Sequence, residues 1–201
     1  MLSLLMDTSN QYLMVALYED GKCLDVIQEL GSKKQSENAI PYLEKLLNQY
    51  HKELKDIDEM IITKGPGSYT GERVAMTIAK TLSVVTSIKM KSISSLAAYA
   101  GLQKCVSVID ARSQKVFVGV FNQGKAVLKE QLILISEFEE LMKEYKDYEV
   151  VGQAEVVGYP SQEIDLAKNM YLLAQNEEYI DNVDALVPCY LKDVEAKKIC
   201  L

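Results

Sequence analysis

Leu2-Ser3-Leu4-Leu5-Met6-Asp7-Thr8-Ser9-Asn10-Gln11-Tyr12-Leu13-Met14-Val15-Ala16-Leu17-Tyr18-Glu19-Asp20-Gly21-Lys22 alternates apolar runs with turn residues. Leu2–Met6 reads as a strand, Asp7–Asn10 as a turn and Tyr12–Tyr18 as the returning strand. Glu19–Lys22 turns the chain again into a third strand, Cys23–Leu30. The same pattern returns 103 residues later without a gap. Asp7 falls on Asp110, Gln11 on Gln114, Val15 on Val118, Tyr18 on Phe121, Gly21 on Gly124 and Lys22 on Lys125. Each meander is followed by a helix and then a strand: Ser36 to about Tyr50 and Glu59–Thr63 in the first half, Ser136–Tyr145 and Glu149–Val151 in the second. Repetition of both the turns and the element order implies a duplication. We therefore expect a two-lobed α/β protein with duplicated mixed-sheet lobes, 1–102 and 103–201, joined near Tyr99–Cys105.

Between the repeats lies a second marked stretch, Met60-Ile61-Ile62-Thr63 running into Lys64-Gly65-Pro66-Gly67-Ser68-Tyr69-Thr70-Gly71-Glu72-Arg73. Strand, glycine-rich turn and helix form the layout that aims backbone N–H groups at an anion. The spacing is not that of a nucleotide P-loop, because Gly71 is followed by Glu72-Arg73, and a carboxylate there repels phosphate. A tight turn positioning a packed helix from Arg73 to about Ile88 is the competing reading.

Composition narrows the classes. A chain of 201 residues, 48% hydrophobic and 25% charged, has the balance of a globular protein. A formal charge of −7 speaks against independent nucleic-acid binding. The lysine clusters Lys33-Lys34, Lys89/Lys91 and Lys197-Lys198 read as solvated surface. Cys23, Cys105, Cys189 and Cys200 form no CxxC pair, and with no signal peptide they are expected to be reduced thiols in the cytoplasm. No apolar run reaches membrane-spanning length.

Few residues could carry chemistry. Asp7 and Asp110 end the first strand of each lobe, where they would face a shared cleft and hold a metal–phosphate complex or act as bases. Each could equally cap its own turn through the side chain. Arg112 is an anion contact or an ion-pair partner. His51, the only histidine, excludes a two-histidine metal site, and no nucleophile elbow accompanies it. The second lobe lacks a glycine-rich turn able to hold an adenosine, which weakens an actin-like ATPase or phosphotransferase reading. The helix from Arg73 is apolar over more than one stripe, and the first helix adds Ile40, Leu43 and Leu47. Together with Arg73, Val74, Met76, Ile78 and Leu82 these are expected to form a helix-pair interface with a partner or a second copy.

Leu4–Ser9, the loop Lys64–Arg73, Val108–Arg112 and Pro188-Cys189-Tyr190-Leu191-Lys192 together resemble the TsaB (YeaZ) family, in order and across nearly the whole chain. The resemblance implies an actin-like (ASKHA, ribonuclease-H-like) fold and a non-catalytic paralogue of TsaD, needed for threonylcarbamoyladenosine in tRNA. It implies that a TsaD-like subunit docks on the N-terminal lobe, that a TsaE-like ATPase joins, and that tRNA is gripped mainly by the complex. A homodimer of the isolated chain is also open. ATP and metal would belong to partner subunits, with none expected on this chain. A nucleotide- or anion-like cleft would draw on Asp7, Thr8, Ser9, Gly65, Gly67, Ser68, Thr70, Gly71, Asp110 and Arg112. Gln35, Glu72 and Lys192 depart from the family pattern. The older label of M22 glycoprotease finds no nucleophile here.

Overall fold

The computed structural model describes residues 1–30 and 35–191, so the readings placed on Lys33-Lys34, Lys192, Lys197-Lys198, Cys200 and the side chain of Gln35 lie outside the described residues. The first meander forms β1 (Leu2–Asp7), β2 (Tyr12–Glu19) and β3 (Lys22–Leu30). Then come α1 (Gln35–Gln49), β4 (Glu59–Thr63), α2 (Tyr69–Thr86), β5 (Lys89–Ile93) and α3 (Ser95–Ala100). The order begins again with β6 (Cys105–Arg112), β7 (Lys115–Asn122), β8 (Lys125–Leu134), α4 (Phe138–Glu144) and β9 (Glu149–Gly152), and α5 (Leu166–Ala174) follows. Within each meander the pairing is antiparallel, whereas β4 joins β1 and β9 joins β6 in parallel. The sheets therefore run β3-β2-β1-β4-β5 and β8-β7-β6-β9. An antiparallel meander extended by a parallel strand, twice over, is the duplicated α/β arrangement of actin-like, ribonuclease-H-like folds.

The period of two along each strand sorts side chains into separate cores. On β2, Leu13, Val15 and Leu17 face α1 and α2, while Met14, Ala16 and Tyr18 face the opposite way. On β7, Val116, Val118 and Val120 pack toward α4, and Phe117 and Phe121 meet the residues from β2 in a central core with α3 and α5. The result is a stack of α1/α2, first sheet, α3/α5, second sheet and α4. The inner strands β1, β2, β4 and β7 are buried on both faces, which is why they read as near-continuous apolar runs.

Several expectations change. α2 starts at Tyr69, not Arg73, because Ser68 caps it, its Oγ accepting from the Gly71 N–H at 3.3 Å. The helix stops at Thr86, with Ser87 in the left-handed region (φ 64°). β5 and α3, read from sequence as no element, follow at once. β5 hides because its lysines look solvated, yet Lys91 is buried. Its Nζ lies 3.7 Å from the Glu59 carboxylate and donates to the Ala174 carbonyl at 2.8 Å. Ser3 Oγ and Tyr179 OH also donate to Glu59, at 2.7 and 3.0 Å. Burial of this pair is tolerable because those donors satisfy the carboxylate. Pro41 sits in the second turn of α1, on the exposed side of the helix, where water can reach the Glu37 carbonyl that its missing N–H leaves free.

After α5 the chain recrosses the first sheet. The Ile180 N–H donates to the Met90 carbonyl at 2.9 Å, Lys80 Nζ to the Asp184 carbonyl at 2.9 Å, and the Cys189 N–H to the Lys64 carbonyl at 2.7 Å. This strap covers the outer edge of β5 and ends beside the glycine loop.

Candidate functional site: a filled glycine loop and a helix-pair groove

The glycine loop is folded down onto the β1–β2 turn. The Ser68 N–H donates to the Ser9 carbonyl at 2.6 Å, Thr8 Oγ1 to the Gly71 carbonyl at 2.6 Å, and the Ala75 N–H to Thr8 Oγ1 at 3.1 Å. So close an approach leaves no room for side chains. A methyl group at Gly67 would overlap the Ser9 carbonyl oxygen, and one at Gly71 the Thr8 carbonyl oxygen. Here the glycines serve backbone-to-backbone packing rather than a ligand's approach.

The seat behind the loop is taken by the chain itself. Glu72 is only 2% exposed. Its carboxylate lies 2.7 to 3.0 Å from the point where a Cβ on Gly65 would stand, and the Gly67 N–H faces it. Its Oε2 has no hydrogen-bond partner. Burial pushes the Glu72 carboxyl up to about 7; the Gly67 N–H works against this and the nearby Asp7 adds to it. Asp7 is buried too and is raised by desolvation, with the hydroxyls of Ser9 and Thr63 and the Ser9 N–H holding it back. Its Oδ1 accepts from the Ser9 N–H at 2.9 Å, from Ser9 Oγ at 2.6 Å and from the Thr63 hydroxyl. Ser9 Oγ also meets Ser95 Oγ at 2.9 Å. An anion entering here would meet two carboxyl groups.

The structure brings Asp7, Thr8, Ser9, Gly65, Gly67, Ser68 and Gly71 together, but not Asp110, Arg112 or Thr70. Asp110 and Arg112 are exposed at the end of β6, and Asp110 Oδ1 accepts from the Arg112 N–H at 2.7 Å. Both aspartates thus accept the N–H two residues on, the turn-capping role that competed with chemistry. Of the two carboxylates expected to face a shared cleft, Asp7 is buried beneath the loop and Asp110 is exposed. Gln153 spans the lobes instead, accepting from the Asp110 N–H at 2.7 Å and donating to Gln11 Oε1 at 3.3 Å. Among the described residues no cluster of three or more His, Cys, Asp or Glu could hold a metal ion, and no helix is long and apolar enough to cross a membrane.

The helix pair divides in two. Leu43, Leu47, Met76 and Leu82, expected at an interface, are buried under α1 and α2 in the core of the first sheet. A helix apolar on two sides presents only one of them outward, and periodicity does not say which. Ile40 is 48% exposed, and Arg73, Val74 and Ile78 reach the surface beside it. With Ser36, Tyr69, Thr70 and Thr77 they line a groove of about 470 Å³. Sequence reasoning missed Tyr69 and Thr77. Their signal was the i, i+4 spacing of Tyr69, Arg73 and Thr77 along one helix face.

Residues 26–155 match the protein family described as TsaD: tRNA N6-adenosine threonylcarbamoyltransferase. The chain is 30% identical over 220 residues to the tRNA threonylcarbamoyladenosine biosynthesis protein TsaB of Bacillus subtilis, with 96% of this chain and 95% of that one covered. It is 27% identical over 147 residues to the protein of that name from Escherichia coli, covering 65% and 63% of the two chains. Among solved structures, YeaZ from Pseudomonas aeruginosa superposes with a TM-score of 0.74 at 22% identity, covering 94% of this chain and 99% of that one.

Proposed function

From the premise that this chain belongs to the TsaB (YeaZ) family, we propose that it is a non-catalytic scaffold subunit in tRNA threonylcarbamoyladenosine biosynthesis, active in the cytoplasm. Its task is to hold a TsaD-like subunit, which transfers threonylcarbamoyl from its adenylate to N6 of adenosine 37 in tRNAs reading codons that begin with A. A TsaE-like ATPase joins the pair, and tRNA is held mainly by the assembled complex. The partner subunits use the ATP and the metal, and this chain needs neither.

One observation carries the reading: the space behind the glycine loop is filled by Glu72, while an open apolar groove lies on the outer side of the same helix. A buried carboxylate behind the loop opposes a nucleotide by charge and by volume. Ile40, Val74 and Ile78 supply the desolvated centre that a docking helix needs. The duplicated lobes and negative charge suit a protein that is gripped rather than one that grips nucleic acid.

The test is direct. The full-length protein co-elutes with its cognate TsaD-like subunit and makes no threonylcarbamoyladenosine alone. Ile78→Asp places a charge in the groove and weakens the complex by about 2 kcal/mol or more, roughly 30-fold in Kd by calorimetry. Ile78 is half-buried, so a melting curve of the dilute variant accompanies the measurement to separate lost docking from lost packing. Full affinity in the variant, or modification by this protein alone, would overturn the proposal.

A further inference from the structure

The α1–α2 groove is lined by apolar and neutral side chains with one exception, Arg73. Its position is set by two rings. The guanidinium carbon lies 3.9 Å from the centre of the Tyr69 ring one turn earlier on α2. Its Nε donates to Tyr190 OH at 3.0 Å, and the rings of Tyr69 and Tyr190 stack with centroids 5.3 Å apart. Tyr190 arrives from the far end of the strap, 117 residues away in sequence. Two lining residues of the groove, Tyr69 and Arg73, are therefore braced by a residue near the end of the described chain.

This arrangement leaves the outer edge of the guanidinium uncommitted. Nε is used, but Nη1 and Nη2 carry further N–H donors in a planar fork suited to a carboxylate. Among the described residues Arg73 forms no ion pair. The nearby Glu72 carboxyl is turned inward beneath the loop. A cation on an apolar surface, in a chain of net charge −7, marks the position of one complementary charge. A free arginine side chain gives up rotamer freedom when it is captured; one already laid on the Tyr69 ring and bonded to the Tyr190 hydroxyl gives up less.

We propose that the groove receives an apolar partner segment bearing one carboxylate, which Arg73 takes through its outer N–H groups, and that Tyr190 is the positioning residue that holds Arg73 for it. The proposal rests on the docking reading above. It makes the strap from the second half of the chain part of a surface otherwise formed by the first.

Calorimetric titration of the full-length protein with the cognate TsaD-like subunit, at low and at high salt, tests it with the variants Arg73→Gln, Tyr190→Ala, Tyr190→Phe and Ile78→Asp. Arg73→Gln weakens binding by roughly tenfold and flattens its salt dependence. Tyr190→Ala weakens it by a few-fold, Tyr190→Phe by less because the ring stack survives, and Tyr190→Ala adds nothing once Arg73→Gln is present. That non-additivity is the readout a purely structural role would not give. If Ile78→Asp abolishes binding while Arg73→Gln leaves affinity and salt dependence unchanged, docking stands and the carboxylate falls. Losses from Arg73→Gln and Tyr190→Ala that simply add would remove the positioning role. If Ile78→Asp binds like the parent, docking itself fails. Sedimentation of the protein alone covers the other occupant: a dimer lost in Ile78→Asp, with heterologous affinity untouched, would assign the groove to a second copy and overturn the proposal.

Discussion

Gly71→Ala lowers the melting temperature by about 10 °C, although glycine-to-alanine changes inside helices ordinarily stabilise by roughly 1 kcal/mol. The sign reverses because Gly71 lies within α2 at its closest contact with the β1–β2 turn. The added methyl would stand on the Thr8 carbonyl oxygen. Neither backbone can yield cheaply. Thr8 is tied to α2 twice, through Oγ1 to the Gly71 carbonyl at 2.6 Å and from the Ala75 N–H at 3.1 Å. Relief requires α2 to lift, opening the core beneath Ala75, Met76 and Ala79, and overpacking of this kind costs about 3 kcal/mol. A thermal melt of Gly71→Ala equal to or above the parent would show that the helix does not sit on the turn as described.

The second large effect is a pH dependence that Glu72→Gln weakens. The free glutamate value is 4.5, and burial brings Glu72 to about 7 in the folded chain. A folded state that holds its proton more tightly than the unfolded chain is favoured at low pH. The stability it confers is complete below about 4.5 and is lost as pH rises toward about 7. Asp7, also raised by burial, contributes with the same sign. Each pH unit of that span is worth about 1.4 kcal/mol, so the loss at pH 8 is on the order of 3 kcal/mol. Glutamine keeps the shape without the charge. Unfolding free energies from urea titration of Glu72→Gln therefore match the parent near pH 4 and exceed it by about 3 kcal/mol at pH 8. Parallel pH profiles for the two proteins would show that the carboxyl is not confined behind the loop.

The lobes were legible from sequence because their signals are local. Apolar alternation and the Asp-Gly and Gln-Gly turns place β1 to β3 and β6 to β8 within a residue or two. β5 was not legible: Lys89 and Lys91 hide a strand whose lysine is paired only after Glu59 and the end of α5 arrive from elsewhere. The outward side of the helix pair was half legible. Ile40, Val74 and Ile78 emerge, whereas Leu43, Leu47, Met76 and Leu82 turn to the sheet, and a helix apolar on two sides carries no mark of which side meets water. The loop shows the same boundary. Its misfit to phosphate could be read from Glu72, but the occupation of the seat depends on the missing Cβ of Gly65. The reach of Tyr190 to Arg73 has no local signature at all.

Duplication supplied two copies of one plan, but the strap after α5 makes them interdependent. Severed in the connection at 101–104, the leading copy would retain Lys91 and Glu59 while losing the Ala174 carbonyl and the Tyr179 hydroxyl that satisfy them. It would also uncover the rim of β5 that Ile180 closes, leaving a lone sheet border open to pairing with other molecules. The first sheet is therefore finished only by residues that lie beyond the second meander, and translation must pass Cys189 before the earlier copy has all its contacts.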